Sequence, residues 1–199
     1  MGDYTETASA WAFCLGRLVR YPLYRLGLVR RRPMFIDNYE AAQRFAFQVL
    51  RLDPRVRLVH PERCPRQHPV IFAANHYLLD DPFIVWRAIQ VASERQIYSR
   101  FVMRDDWGRG GFWRLMPISI NELAEMGGAI TISRGKVTYA QMRPLFDILA
   151  EPGSFVIFPG RSRSRSGLLF EYREDIEEPG GVSFFLAQGG RRDPEHTIA

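Results

Sequence analysis

The sequence predicts an α/β fold, a mainly parallel mixed sheet flanked by helices, with an N-terminal amphipathic helical segment ahead of it. Three observations carry that expectation. Apolar runs of strand length at 70–74, 101–103, 128–132 and 154–158 alternate with segments of helical periodicity at 83–95 and 137–150, the order that strand–helix–strand units with right-handed crossovers impose on a chain. The runs at 70–74, 128–132 and 154–158 lead into stretches bearing His or Arg, and the carboxyl ends of parallel strands are where loops open a crevice for such side chains. The length of 199 residues, with 46% hydrophobic and 25% charged, is enough for a globular chain with a core of its own.

Residues 1–10 are small and polar and read as a frayed start. From 10 to 32, Trp11, Phe13, Leu15, Leu18, Val19, Tyr21, Tyr24 and Leu26 interleave with Arg17, Arg20, Arg25, Arg30, Arg31 and Arg32. Rings at an acyl boundary and guanidinium groups on phosphates suit an interfacial helix, and a helix covering the domain's own core suits the pattern equally. Pro22 is expected to break or kink it. Residues 38–52 read as a second helix capped by Asn38 or Asp37, and 55–59 as a strand. This divides the chain into an N-terminal helical segment over 1–52 and a domain over 53–199. His60 and His68 fall in turn-like connections and read as solvated or capping residues rather than ligands. Strand 70–74 then delivers Asn75 and His76.

The helix at 83–95 comes next, and then strand 101–103. Trp107, Phe112, Trp113, Leu115 and Met116 sit among glycines, as ordinary core, as the wall of an apolar tunnel or as a segment dipping into a bilayer. Strand 128–132 leads into Ser133 and Arg134. Helix 137–150 closes at Glu151-Pro152-Gly153, and strand 154–158 leads into Arg161, Ser162, Arg163, Ser164, Arg165 and Ser166 before Gly167. A short helix is expected at 180–187, and Thr197-Ile198-Ala199 reads as the opening of another strand.

Chemistry enters at Asn75-His76-Tyr77-Leu78-Leu79-Asp80-Asp81-Pro82. A neutral imidazole takes a proton from an alcohol near pH 7 when one ring nitrogen is free and the other is held. A carboxylate on the held nitrogen sets the tautomer and stabilises the imidazolium. Asp81 supplies that group, with Asp80 the weaker candidate; Asp81 could equally act only as a cap for the following helix, with Pro82 at its first position. The Arg and Ser residues after strand 154–158 form a ready phosphate cradle. As a bare string they also read as a short arginine–serine repeat of the kind that contacts RNA.

Taken in order, Asn75-His76 with Asp81, then Gly128 to Arg134, then Phe158 to Gly167, resemble three blocks of the glycerolipid acyltransferase family, which includes glycerol-3-phosphate and lysophosphatidic acid acyltransferases. The first matches the family's NHxxxxD motif, the second its Gly-x-x-Phe-Ile-x-Arg block with Thr131 at the Phe position, and the third its Phe-Pro-Glu-Gly-Thr-Arg-Ser block. Together they span roughly half the chain. The resemblance implies a glycerol-3-phosphate acyltransferase-like fold. It also implies transfer of a fatty acyl group from acyl-CoA or acyl carrier protein to a hydroxyl of glycerol-3-phosphate or lysophosphatidic acid, in phospholipid synthesis. His76 would be the general base and Asp81 its orienting partner, with Asn75, Arg134, Arg161, Arg163 and Ser164 binding substrate and no metal or bound cofactor. An N-terminal membrane-associating helix is common in that family, which favours a peripheral protein on the cytoplasmic face of a membrane. Gly160, Arg161 and Ser162 stand where the family has Glu, Gly and Thr. Either the added Arg and Ser take over acceptor binding, or activity is reduced or lost. A fourth, Val-Pro-containing block is absent, which points to truncation at the C-terminus.

Composition bounds the partners. The formal net charge is +5, from 27 Lys and Arg against 22 acids, and Lys136 is the sole lysine. An arginine bias suits anionic headgroups and phosphorylated substrates; it also suits nucleic acid or a GC-rich coding sequence. Cys14 and Cys64 give neither metal-ligand spacing nor a disulfide framework, so a reducing compartment is expected. No apolar run is long enough to span a bilayer and no secretory signal is evident. The rival functions are a non-catalytic lipid-binding relative and, more distantly, a basic nucleic-acid-binding domain.

Overall fold

The structure, a computed structural model, describes residues 2–51, 56–78, 80–106, 117–133, 139–150 and 153–158. Four strands form one parallel sheet: β1 (Val70–Ala73), β2 (Ser99–Arg104), β3 (Ile130–Ile132) and β4 (Ser154–Ile157), in the spatial order β1-β4-β2-β3. Val70 to Ala73 pair with Ser154 to Ile157, and Ser99 to Phe101 with Ser154 to Val156. β2 and β3 pair from Val102 and Ile130. The α/β class is as expected, and every described strand pair is parallel. Parallel strands need covered faces, and the burial pattern fits: all four β4 residues are buried, with Phe155 and Val156 fully so.

The two faces carry different cores. Phe155, Ile157 and Ile130 pack with Met142, Leu145, Phe146 and Ile148 of helix α5 (Tyr139–Ala150). On the other face Val156 packs with Ile97 and with Ile89 of helix α3 (Asp81–Ala92). A third cluster joins the N-terminal region to this layer: Cys14, Tyr21, Phe35, Tyr39 and Ala42 share a core with Trp86, Ile118 and Met126. Thus α1 (Gly2–Arg25) and α2 (Tyr39–Val49) are packed onto the rest of the chain. Tyr39 sits edge-on to Trp86 at 4.8 Å, and burial pushes its hydroxyl above the ordinary range.

Several expectations change. Residues 2–10 are helical rather than frayed, because this part of α1 docks on α2: Trp11 meets Phe45 edge-to-face at 4.8 Å, and Glu6 pairs with Arg44. Pro22 lies inside α1 without ending it. Lacking an N–H, it leaves out the one helical bond to the Leu18 carbonyl, and the helix runs on to Arg25. The helix stops at Gly27, whose φ of +74° lets the Gly27 and Leu28 N–H groups return to the Tyr24 and Leu23 carbonyls. Residues 56–59 form no strand: Val59 is 72% exposed and no ladder reaches it. Apolar character alone had suggested one. Asn38 is the cap of α2, its side chain accepting from the Ala41 N–H at 3.1 Å, as read from the sequence.

Sequence reading missed helix α4 (Ile120–Met126). Its signal was present as Ser119-x-x-Glu122, a capping box in which the Ser119 hydroxyl accepts from the Glu122 N–H while the Glu122 carboxylate accepts from the Ser119 N–H. The expected apolar segment at 107–116 and the helix at 180–187 lie outside the described residues.

Burial works to raise the Glu122 pKa, but the hydrogen bonds from Ser119 and Tyr21 and the nearby Arg25 outweigh it and leave the carboxyl below its ordinary value. A depressed carboxyl stabilises the fold above its unfolded pKa and loses that contribution as pH falls through the folded one. Replacing Ser119 by Ala should therefore cost about 1 kcal/mol in urea unfolding at neutral pH. The stability gap between wild type and Glu122→Gln should shrink as the solution is acidified below the ordinary carboxyl range; a gap that widens instead refutes this account.

Candidate functional site

The site is built where β1 and β4 end side by side. The ladder continues one residue past β1, with the Ala74 N–H donating to the Ile157 carbonyl at 3.0 Å. Asn75 and His76 come directly after that point on the β1 side, and Phe158 on the β4 side. The two ends meet: the His76 and Phe158 rings are 4.6 Å apart, centroid to centroid, at 34°. Phe158 therefore forms one wall of the histidine's position, a role the sequence did not reveal because it depends on β1 pairing with β4.

Asp81 begins α3, and Pro82 comes next in the first turn. The carboxylate does not cap the helix, contrary to the reading of Asp81 as a cap. The residue at the cap position is Asp80, whose side chain makes no capping bond. Its carbonyl instead accepts the Phe83 and Ile84 N–H groups at 2.9 and 3.1 Å. Asp81 turns back over the loop. Its Oδ2 accepts from the Leu78 N–H at 2.7 Å, from the Tyr77 N–H, and from His76 Nδ1 at 3.1 Å. Two loop amides and the start of a helix thus surround this carboxylate with positive potential.

A carboxylate only accepts, so His76 Nδ1 carries the proton in this contact and Nε2 is left as the basic nitrogen. Nε2 has no hydrogen-bond partner among the described residues. The two side chains are 22% and 16% exposed, sheltered but open to a substrate. Asn75 Oδ1 accepts from the His76 N–H at 3.1 Å, so Asn75 steadies the loop that carries the ring. Tyr77 and Leu78 are nearly half exposed and present apolar surface beside it.

A second cluster stands at the carboxyl ends of β2 and β3. The Asp105 N–H donates to the Ile132 carbonyl at 3.0 Å, and the Ser133 hydroxyl donates to Asp105 Oδ2 at 2.8 Å. The Asn121 side-chain amide donates to the Asp105 carbonyl. Arg104 forms a forked pair with Asp106. Sequence reading passed over Asp105 and Asn121, although an Arg-Asp-Asp run directly after an apolar strand was a visible signal. This cluster fixes the point from which the chain leaves β3 towards Arg134. Arg134, Arg161, Arg163 and Ser164 themselves lie outside the described residues. Within the described residues, β1, β3 and β4 run the same way, so the loops after all three leave from one edge of the sheet.

Set against protein-family models, curated proteins and solved structures, the chain matches none.

The remaining candidates are quickly placed. Burial pushes the Cys14 thiol up to about 11, so it is no nucleophile at neutral pH. His60 is exposed and pairs with Glu62 at 3.0 Å. His68 was expected in a solvated or capping role; instead its Nδ1 lies 2.7 Å from Ser154 Oγ, far from His76 at the amino edge of the sheet. Among the described residues no group of three or more His, Cys, Asp or Glu is arranged to hold a metal ion, and no helix is long and apolar enough to cross a membrane.

The geometry sets a direct expectation for the ring. In neutral His76 the Nδ1–H tautomer should dominate, read from imidazole ¹⁵N shifts in NMR, and Asp81→Asn should erase that preference. A wild-type ring found mainly as the Nε2–H form removes Asp81 from its orienting role.

Proposed function

We propose that the chain is an O-acyltransferase that moves a fatty acyl group from acyl-CoA or acyl carrier protein to a hydroxyl of glycerol-3-phosphate or lysophosphatidic acid. The observation that carries this reading is the His76–Asp81 contact at the carboxyl edge of a parallel sheet, with Nδ1 held and no partner on Nε2 among the described residues. The ordered motif blocks of the sequence give the pair its substrate class.

In this mechanism the acceptor hydroxyl hydrogen-bonds to His76 Nε2. As its oxygen attacks the thioester carbonyl carbon, the proton passes to Nε2, and Asp81 offsets the charge of the imidazolium. The tetrahedral oxyanion then collapses, the carbon–sulfur bond breaks, and the imidazolium returns its proton to the leaving thiolate. No proton is gained or lost overall. Arg134, Arg161, Arg163 and Ser164 are assigned to the acceptor's phosphate, which would hold the hydroxyl beside the ring. Tyr77, Leu78 and Phe158 offer an apolar flank suited to an acyl chain.

The N-terminal helix supports a place at a membrane surface. Leu15, Val19 and Leu23 on α1, with Leu26 and Leu28 just beyond it, are exposed, next to exposed Arg20 and Arg30. Apolar side chains bordered by guanidinium groups fit an anionic interface. The second reading is a non-catalytic lipid-binding protein, favoured by Gly160 where the resembled family has its glutamate.

Thiol release from acyl-CoA in the presence of glycerol-3-phosphate or lysophosphatidic acid separates the two. The enzyme reading expects turnover that falls about 10²- to 10⁴-fold in His76→Ala, whereas release no greater than that of His76→Ala leaves only the lipid-binding module. Sedimentation with anionic liposomes should be weakened when Val19 and Leu23 are changed to Ser. Retention that instead tracks nucleic acid, with a steep salt dependence, points to a nucleic-acid-binding protein.

A further inference from the structure

The opposite edge of the sheet holds a cavity of about 570 Å³ that the proposed reaction does not use. It is bordered by the start of α2, the amino ends of β2 and β4, and the C-terminal turn of α5, with His68, Tyr98, Arg100 and Ile148 among its walls. Its size falls in the range of small-molecule sites. Four residues of strand, roughly 13 Å, separate this edge from the one that carries His76.

The charges around it are unevenly engaged. The two acids on its rim are already paired: Asp37 with Arg17 at 3.1 Å and Arg31 at 3.2 Å, and Glu40 with Arg95 at 3.3 Å. Arg100 is half-buried and makes no ion pair or side-chain hydrogen bond among the described residues. The forked donors of a guanidinium match a carboxylate or phosphate.

His68 adds a second donor. The Val70 N–H donates to Ser154 Oγ at 2.9 Å, so the hydroxyl is already an acceptor there. With its own proton assigned to His68 Nδ1, 2.7 Å away, the ring's donor is Nε2–H. Ser154 is fully buried, so this bond holds His68 in place; the serine is not a nucleophile. Tyr98 is 44% exposed, and with Ile36 and Ile148 it supplies an apolar side.

We propose that this cavity binds a small organic anion, a carboxylate or phosphate monoester on a compact apolar body, with Arg100 and His68 on the charged group and Tyr98 against the body. The site is separate from the acyl-transfer reading and stands or falls without it.

The test is titration of the full chain with inorganic phosphate, phenyl phosphate and benzoate, followed by backbone amide shifts. At least one of the two ring-bearing anions should shift the Tyr98, Arg100 and Gly153 amides saturably, while those of residues 75–78 stay in place. Phenyl phosphate against benzoate tells which charged group is preferred. Arg100→Gln should weaken binding at least about tenfold, Arg100→Lys should restore part of it, and His76→Ala should leave it unchanged. The mapping on wild type decides the case even if an Arg100 variant fails to fold. Four results overturn the proposal: no saturable binding of either ring-bearing anion up to about 10 mM, equal affinity in Arg100→Gln, loss in His76→Ala, or inorganic phosphate binding as tightly as phenyl phosphate.

Discussion

The parallel pairing of β1 with β4 is the constraint on which the rest of the structure depends. It joins segments far apart in sequence, in register from Val70 with Ser154 to Ala73 with Ile157, and it is continued by the Ala74–Ile157 hydrogen bond. Because the two strands run the same way, the loop leaving β1 starts beside the residues leaving β4. His76 therefore meets Phe158, and the loops after β1, β3 and β4 share an edge. An antiparallel pairing of the same residues would have put His76 and Phe158 at opposite ends of the sheet.

At the centre of that ladder the β4 side chains are apolar and buried. Phe155 and Val156 are fully buried on opposite faces, one against α5 and the other against α3. The polar work is done at the two ends. At the amino end Ser154 joins Val70 and His68. At the carboxyl end Asp81 gathers two loop amides and the His76 ring. The Asp81 carboxylate orders the loop and selects the histidine tautomer with the same oxygen, so the loop's shape and the ring's orientation are coupled. Removing the carboxylate would disturb both.

The N-terminal helix shows a similar economy. One side of α1 contributes Cys14 and Tyr21 to a core shared with Trp86 and Met126, while Leu15 and Val19 remain exposed. Of the two readings that its sequence left open, Cys14 and Tyr21 bear out the one in which the helix covers the core.

The alternation of apolar runs and helical periodicity in the sequence sufficed for the α/β class, for β1 to β4 within a residue or two, and for α2, α3 and α5, because strand and helix periods are local properties of the chain. The spacing of His76 and Asp81 was legible for the same reason: five residues across a strand–helix turn form a nearly closed local geometry. Tertiary structure alone decided that Phe158 lies against His76, that Asp105 ties β2 to Ser133, and that residues 56–59 find no strand partner. Each of these depends on which strand lies beside which, and no periodicity within a segment encodes its neighbour in space.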